Sequence, residues 1–155
     1  MAAHIFRGQR QLFKNLEIFM PLTVVLAVCL DSTALAIRDS VWRSFGYTVT
    51  TTGSIREAIE RFKAGDFDMV LLGHSIPAES RERLTFLIRA SGSQVPVASI
   101  CKSFGDRDSF ADATVGSEPS ELLLGMGELV AKSAKMLAMR RVQNELPAYK
   151  APWSA

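Results

Sequence analysis

The stretch D-M-V-L-L-G-H-S-I-P, residues 68–77, contains a short apolar run that ends at Gly73, four residues before Pro77. An apolar run without polar alternation is typical of a strand covered on both faces, as in parallel sheets. In such sheets the functional side chains lie at the carboxyl ends of the strands. Because glycine has no side chain, the stretch predicts a buried strand whose tip carries no reactive group.

The rest of the chain alternates apolar strands with helical patterns. Further strands are predicted at residues 22–30, 47–52, 95–100 and 113–115. Helices are predicted at residues 32–45, 55–63 and 82–90 and from residue 119 onward. Asp31 and Ser54 are expected to cap two of these helices, because their short polar side chains can accept a hydrogen bond from the first turn. Strands that alternate with helices predict an α/β fold with a doubly wound, parallel sheet.

The composition indicates one globular domain and gives no sign of special partners. The 155 residues are 48% hydrophobic and 22% charged, and the net charge of +2 does not favour nucleic acid or a membrane surface, so neither is expected. From Val130 onward five basic residues accompany Glu145 alone, and we interpret them as a solvated helix face. The two cysteines, Cys29 and Cys101, lack zinc-site spacing, which favours reduced thiols in a cytoplasmic protein.

Residues 1–20 are interpreted as an N-terminal extension. A helix there would place five apolar residues on one face: Ile5, Leu12, Phe13, Leu16 and Phe19. Two alternatives stay open, a true start at Met20 and a secretory signal whose apolar part would end near Leu30. Glu17 and Pro21 argue against the signal, and the apolar run is shorter than the roughly 20 residues that span a bilayer.

The order and spacing of these elements resemble the receiver domain of bacterial two-component response regulators, over roughly residues 22–132. The most specific matches are F-G-Y-T-V at 45–49, S-I-R-E-A-I at 54–59 and the opening stretch. The resemblance implies a three-layer, flavodoxin-like fold, as in CheY, with strand order 2-1-3-4-5. It implies a receiver-like domain over residues 21–141 with an extended last helix, a flexible tail at 142–155, and a shortened fourth helix before the fifth strand.

The resemblance also identifies the positions where receiver domains carry their chemistry, and this chain departs from the pattern at each of them. The spacing to the proline places the phosphoacceptor aspartate at Gly73. The acidic pair that binds Mg²⁺ falls on Cys29 and Leu30, which lack the carboxylate oxygens that this hard cation needs. The hydroxyl residue that ends the fourth strand is replaced by Cys101, and the lysine position falls on Ser117.

These departures predict a stand-alone, degenerate receiver-like module, related to phosphorelay signal transduction, that acts through protein interaction and without phosphorylation. No enzymatic activity, cofactor or Mg²⁺ is expected, because aspartyl phosphorylation needs an oxygen nucleophile and a divalent cation. A protein partner is expected, and a homodimer is one form of it. The proposed partner surface lies on the extended last helix and comprises Met136, Met139, Arg140 and Arg141.

An alternative function stays open, a small-molecule or redox sensor. Replacement of three carboxylates by Cys29, Leu30 and Gly73 is expected to make the crevice above the sheet apolar and roomier. The plainer interpretation of Cys29 and Cys101 is two buried thiols, with a strand between them that prevents a disulfide. His74 and Ser75 are adjacent on the strand tip and point to opposite faces, which argues against a catalytic pair and favours a loop or surface position for His74.

Overall fold

The computed structural model describes residues 22–101 and 107–145. In these residues a five-stranded parallel sheet of order β2-β1-β3-β4-β5 lies between two layers of helices, so the predicted fold class and strand order are confirmed. The strands are β1 (Thr23–Val28), β2 (Tyr47–Thr52), β3 (Met69–Leu72), β4 (Val97–Cys101) and β5 (Ala113–Gly116). The helices are α1 (Ser32–Leu35), α2 (Asp39–Ser44), α3 (Ile55–Ala64), α4 (Ala78–Ala90) and α5 (Pro119–Glu145).

Strand β3 divides the hydrophobic core in two. Its four residues are fully buried, and successive side chains point to opposite faces of the sheet. Met69 and Leu71 pack on the face that α1, α2 and α5 cover. Val70 and Leu72 pack on the other face, which α3 and α4 cover. The opening stretch is therefore a central strand buried on both sides, as its apolar run predicted.

Polar caps fix the loops that leave the carboxyl ends of β1 and β2. The Asp31 carboxylate accepts the N–H of Ala34 at 3.0 Å, and the Ser54 hydroxyl accepts the N–H of Glu57 at 3.1 Å. The Glu57 carboxylate in turn accepts the N–H of Gly53 at 3.1 Å. Both predicted caps are confirmed, and each supplies a partner to a backbone group that a helix start leaves without one.

The prediction of one helix over residues 32–45 is wrong in one respect: the structure has two helices there, α1 and α2. The backbone is extended at Arg38, with φ −71° and ψ 151°. A continuous helix would align Val41 with buried Ala34, two turns earlier. After the break Trp42 is buried instead and Val41 is 37% exposed. The break thus brings the larger aromatic side chain into the core, and no glycine or proline marks it in the sequence.

Helix α5 is longer than the sheet on which it packs. Its buried stripe consists of Leu122, Leu123, Met126 and Leu129. The backbone passes so close to β5 that a Cβ added at Gly125 would lie 2.5 Å from Cγ1 of Val115. Leu137 falls on the same helical face as Met126, but its side chain is 61% exposed. The eleven residues up to Leu129 span about 16 Å, close to the length of these short strands, so Leu137 lies past the end of the sheet.

Several predicted boundaries lie at or beyond the limits of the described residues. The N-terminal extension, residues 1–20, and the chain after Glu145 are outside them, although α5 continues past residue 141. Between β4 and β5, residues 102–106 are also outside, and the described remainder, residues 107–112, forms turns and no helix. Within the described part of the chain, no helix is both long and apolar enough to cross a membrane.

Candidate functional site

The carboxyl edge of the sheet brings together four of the positions that the sequence singled out. Cys29 follows β1, Gly73 follows β3, Cys101 ends β4, and Ser117 follows β5. Strands β1 and β3 are neighbours in register, so Cys29 and Gly73 are adjacent. At the other side, Cys101 lies opposite Gly116, the residue before Ser117. Neither cysteine forms a disulfide.

The backbone of Cys29 fills the space in front of Gly73. A Cβ atom added at Gly73 would lie 2.0 Å from the carbonyl oxygen of Cys29 and 2.8 Å from that of Val28. The strand tips are also joined by hydrogen bonds: Gly73 N–H donates to the Val28 carbonyl at 2.8 Å, and the Ser75 hydroxyl donates to the Cys29 carbonyl at 2.7 Å. A side chain at position 73 would therefore require movement of the backbone after β1.

Cys29 has an unusual backbone conformation. Its φ of 51° is the one positive value among the non-glycine residues that the structure describes. This left-handed conformation costs roughly 1–2 kcal/mol for an L-residue. Burial raises the pKa of the Cys29 thiol, and the negative charge of Glu57 raises it further. The thiol is therefore protonated and a poor nucleophile at neutral pH.

The residues after β1 do not fit a magnesium site of the receiver type. Leu30 is buried and packs in the core against the α1 side of the sheet. The neighbouring carboxylate, Asp31, accepts a hydrogen bond from the first turn of α1. Mg²⁺ requires several oxygen ligands in octahedral geometry, and a thiol, an isobutyl group and a capping carboxylate do not supply them. Among residues 22–101 and 107–145, no three His, Cys, Asp or Glu side chains are grouped to bind a metal.

A buried ion pair lies beside β4 at the same edge, and sequence reasoning missed it. Arg81 of α4 donates from Nε and Nη2 to the two carboxylate oxygens of Asp108, at 2.9 and 3.0 Å. The two side chains are only 7% and 10% exposed. Arg81 Nη1 also donates to the Ile76 carbonyl, and the Ser99 hydroxyl of β4 donates to Asp108. This bidentate pair links α4, β4 and the β4–β5 connection.

The partners of Asp108 keep its carboxyl group ionised. Burial raises the pKa of Asp108, but the hydrogen bonds from Arg81 and Ser99 and the positive charge of Arg81 outweigh burial. The nearby His74 ring acts in the same direction, and the net pKa lies below the usual value. Asp108 is therefore a carboxylate at neutral pH, with both of its oxygens already bonded.

His74 lies in the turn after β3, in agreement with the loop or surface position that the sequence favoured, and its side chain is half-buried. Its ring atom Nδ1 lies 3.2 Å from the carbonyl oxygen of Ile100 on β4. Ser75, the next residue, donates its hydroxyl hydrogen to Cys29 on β1 instead. The two side chains therefore contact the ends of different strands, and this geometry does not pair them as base and nucleophile.

An open cleft of about 650 Å³ lies on the β1–β2 side of the carboxyl edge. Its largely apolar lining includes Cys29, Leu30, Leu35, Ile55 and Pro77. The vacated crevice was expected at the positions of the missing carboxylates. The structure places the space beside Cys29 and Leu30, whereas the position of Gly73 is filled by backbone.

The predicted partner surface on α5 is divided between two sides of the helix. Met136 and Arg140 line a groove at the opposite, amino edge of the sheet, where Arg140 donates a hydrogen bond to the Gln94 side chain. Met139 and Arg141 are not part of the groove lining. Met136 and Met139 are 53% and 62% exposed. The four residues therefore do not form one continuous patch.

Comparison with known proteins shows the fold. No protein-family model and no curated protein matches the chain. Among solved structures, the chemotaxis response regulator CheY4 of Vibrio cholerae is 19% identical, with a TM-score of 0.58 over 70% of this chain and 98% of that one. The receiver domain of TorR, the response regulator of the TMAO respiratory system, is 24% identical, with a TM-score of 0.55 over 76% of this chain and 98% of that one.

A third structure, histidine kinase ThkA in complex with the response regulator TrrA, gives 21% identity and a TM-score of 0.56 over 70% of this chain and 98% of the matched chain. At such identities the likeness concerns the fold and not the activity. The chain thus has the fold of a response regulator receiver domain.

Proposed function

We propose that this chain is a receiver-like signalling module that acts through protein contacts and does not switch by phosphorylation. The closure in front of Gly73 is the observation that carries this proposal. The position that would hold the phosphoacceptor has no side chain, and the Cys29 carbonyl occupies the space that any side chain would need. The receiver fold supports a role in signal transduction, and the closed strand tip supports independence from phosphate.

Phosphoryl transfer to a receiver needs three things: an oxygen nucleophile, a divalent cation and a positive charge near the phosphate. Gly73 offers no nucleophile. The neighbouring Cys29 and Leu30 offer no carboxylate for the cation. At the end of β5 Ser117 offers a hydroxyl and no positive charge. We infer that the module is neither a phosphoacceptor nor an enzyme.

The Arg81–Asp108 pair supports a single fixed arrangement of the carboxyl edge. A switch needs two arrangements that differ by only a few kcal/mol. Here the Ser99 hydroxyl, two residues before the end of β4, is bonded to Asp108, and Arg81 bonds both oxygens of that carboxylate. Any second arrangement would have to provide new partners for the buried guanidinium and carboxylate, because an unpaired buried charge is strongly destabilising. The contacts therefore support one arrangement of this edge.

The proposed output of the module is a constant surface recognised by a protein partner or a second copy. Met139, which is not part of the groove lining, belongs to the surface that we assign to this contact. Met139 is 62% exposed, although it is a large apolar residue. Exposed apolar residues beside basic ones are typical of protein interaction sites.

The proposal is tested by exposing the full chain to acetyl phosphate and Mg²⁺ and measuring its intact mass under native conditions. A receiver domain that accepts phosphate serves as the control in the same reaction. We expect an adduct on the control and none on this chain. A stable phosphoryl group on any residue of this chain would refute independence from phosphorylation.

The cleft beside Cys29 favours a second candidate, a small-molecule sensor. The cleft measures about 650 Å³ and is largely apolar, as ligand sites are. The redox form of this alternative is disfavoured, because the raised pKa of Cys29 keeps its thiol protonated. A thermal-shift screen with nucleotides and flavins separates the candidates. A saturable rise in the melting temperature that Leu30→Asp abolishes would favour the sensor.

A further inference from the structure

We propose that residues 1–19 of this same chain occupy the groove at the amino edge of the sheet, beneath the part of α5 that extends past the strands. The groove, the uncovered stripe of α5 and the point where the chain enters β1 carry this inference together. It does not depend on the proposed function, which concerns the carboxyl edge and the part of α5 around Met139 outside the groove.

The groove measures about 790 Å³ and is mostly apolar. One wall is the sheet-facing side of α5 from Leu129 to Arg140. The other wall is formed by residues at the amino ends of the strands, including Thr23, Phe67, Val95 and Pro96. Between the two walls lies an apolar space that no residue of the described ranges, 22–101 and 107–145, fills.

The α5 wall continues the stripe that packs on the sheet. At 3.6 residues per turn, Met136 and Leu137 fall on the same face as buried Met126 and Leu129. They remain 53% and 61% exposed because no described element covers them. A helix with an apolar stripe normally buries it against another element. We therefore expect another segment to cover this stripe, and a segment that covers it would fill the groove.

The connectivity of the chain identifies the occupant. Thr23, the first residue of β1, lines the groove, so residues 1–19 are joined to one of its walls through only three intervening residues. A helix of 19 residues would be about 28 Å long, whereas the α5 wall from Leu129 to Arg140 is about 17 Å long, so the groove would take part of the segment. Five apolar residues of the segment share one helical face: Ile5, Leu12, Phe13, Leu16 and Phe19. Segment and groove thus match in position and in apolar character.

Charge favours the segment over a second copy of α5. The basic residues of the segment, Arg7, Arg10 and Lys14, fall on the helical face opposite its apolar residues. Docking by the apolar face therefore leaves them in solvent. A second α5 docked by the same face would add its own Lys132 and Arg140 to a groove that already contains these two basic residues, and like charges at an interface are unfavourable.

Photocrosslinking of the full chain tests the assignment. Benzoylphenylalanine is placed at Leu137 in one variant and at Met139 in a matched control. The two native side chains are 61% and 62% exposed, and only Leu137 lines the groove. After irradiation, peptide mass spectrometry is expected to find residue 137 joined to residues 1–19 within a monomer. The probe at residue 139 is expected to give no such product.

Two further full-length variants carry the Leu137 probe and test the apolar face of the segment. Phe13→Asp with Leu16→Asp is expected to lower the crosslink yield to that of the Met139 control. Gln11→Asp with Asn15→Asp adds the same charge on another face and is expected to preserve the yield. Circular dichroism checks that every variant stays folded. A crosslink between two chains, an equal yield from both probes, or no product with residues 1–19 would overturn the proposal.

Discussion

The carboxyl and amino edges of the sheet each differ from what a parallel α/β fold leads us to expect. The space at the carboxyl edge is smaller than expected at Gly73, and the amino edge has an apolar groove. The carboxyl edge, where such folds place their sites, is closed at Gly73 by the Cys29 backbone and fixed by the Arg81–Asp108 pair. The amino edge has an apolar groove beneath α5 that the described residues, 22–101 and 107–145, leave open. This difference is what we expect of the proposed module, in which protein contacts and not phosphate chemistry use the fold.

The largest effect is expected from breaking the Arg81–Asp108 pair. Asp108→Asn leaves the buried Arg81 guanidinium without its counter-charge, which should lower the free energy of unfolding by about 3–5 kcal/mol. Urea unfolding followed by circular dichroism measures the loss. Arg81→Met combined with Asp108→Leu is the control, and it should lose less than Asp108→Asn alone, because the double variant leaves no unpaired charge buried. A loss below about 1 kcal/mol, the range of surface pairs, would show that the carboxyl edge is not fixed in this way.

A smaller but still large effect is expected from adding one methyl group at the strand tip. Gly73→Ala places a Cβ 2.0 Å from the Cys29 carbonyl oxygen and should lower the free energy of unfolding by about 3 kcal/mol. Gly53→Ala is the matched control, because its nearest neighbour would lie 4.0 Å away. If both variants unfold at the same urea concentration, the space in front of Gly73 is not closed.

Acid should weaken the carboxyl edge less than mutation does, because a protonated Asp108 keeps part of its hydrogen bonding. Folding lowers the pKa of Asp108, so the unfolded chain binds a proton more readily. The stabilisation is present above the unfolded pKa of about 4 and is lost as the pH falls further. The stability difference between the native chain and Asp108→Asn should therefore shrink below about pH 4. A difference that stays constant from pH 7 to 3 would contradict the lowered pKa.

The sequence patterns were sufficient for the strands and their tips, and the resemblance to receiver domains implied their order. Apolar runs without alternation mark strands buried on both faces, and polar residues such as Asp31 and Ser54 mark helix starts. These signals are local, and the structure follows them closely. The position of Gly73 beside Cys29 also followed from the parallel order of the strands.

Three features of the structure could not be predicted from such local signals, and two of them lie at the carboxyl edge. Arg81 and Asp108 are 27 residues apart, and either residue alone resembles an ordinary surface charge. Cys29 has a positive φ, which cysteine rarely adopts, so the residue type does not predict this conformation. The break near Arg38 results from packing of Trp42 and not from a local breaker. Each of these features is set by contacts between distant parts of the chain.

The most direct test of the central claim is an amide NMR titration of the full chain with beryllofluoride and Mg²⁺. Beryllofluoride mimics a phosphoryl group on a receiver aspartate, so it needs the same nucleophile position and cation site. We predict no change in the amide signals of residues around Cys29 and Gly73, or of those in α5. Saturable shifts at the ends of β1 and β3 that require both Mg²⁺ and beryllofluoride would show that the carboxyl edge is open, and would contradict the account.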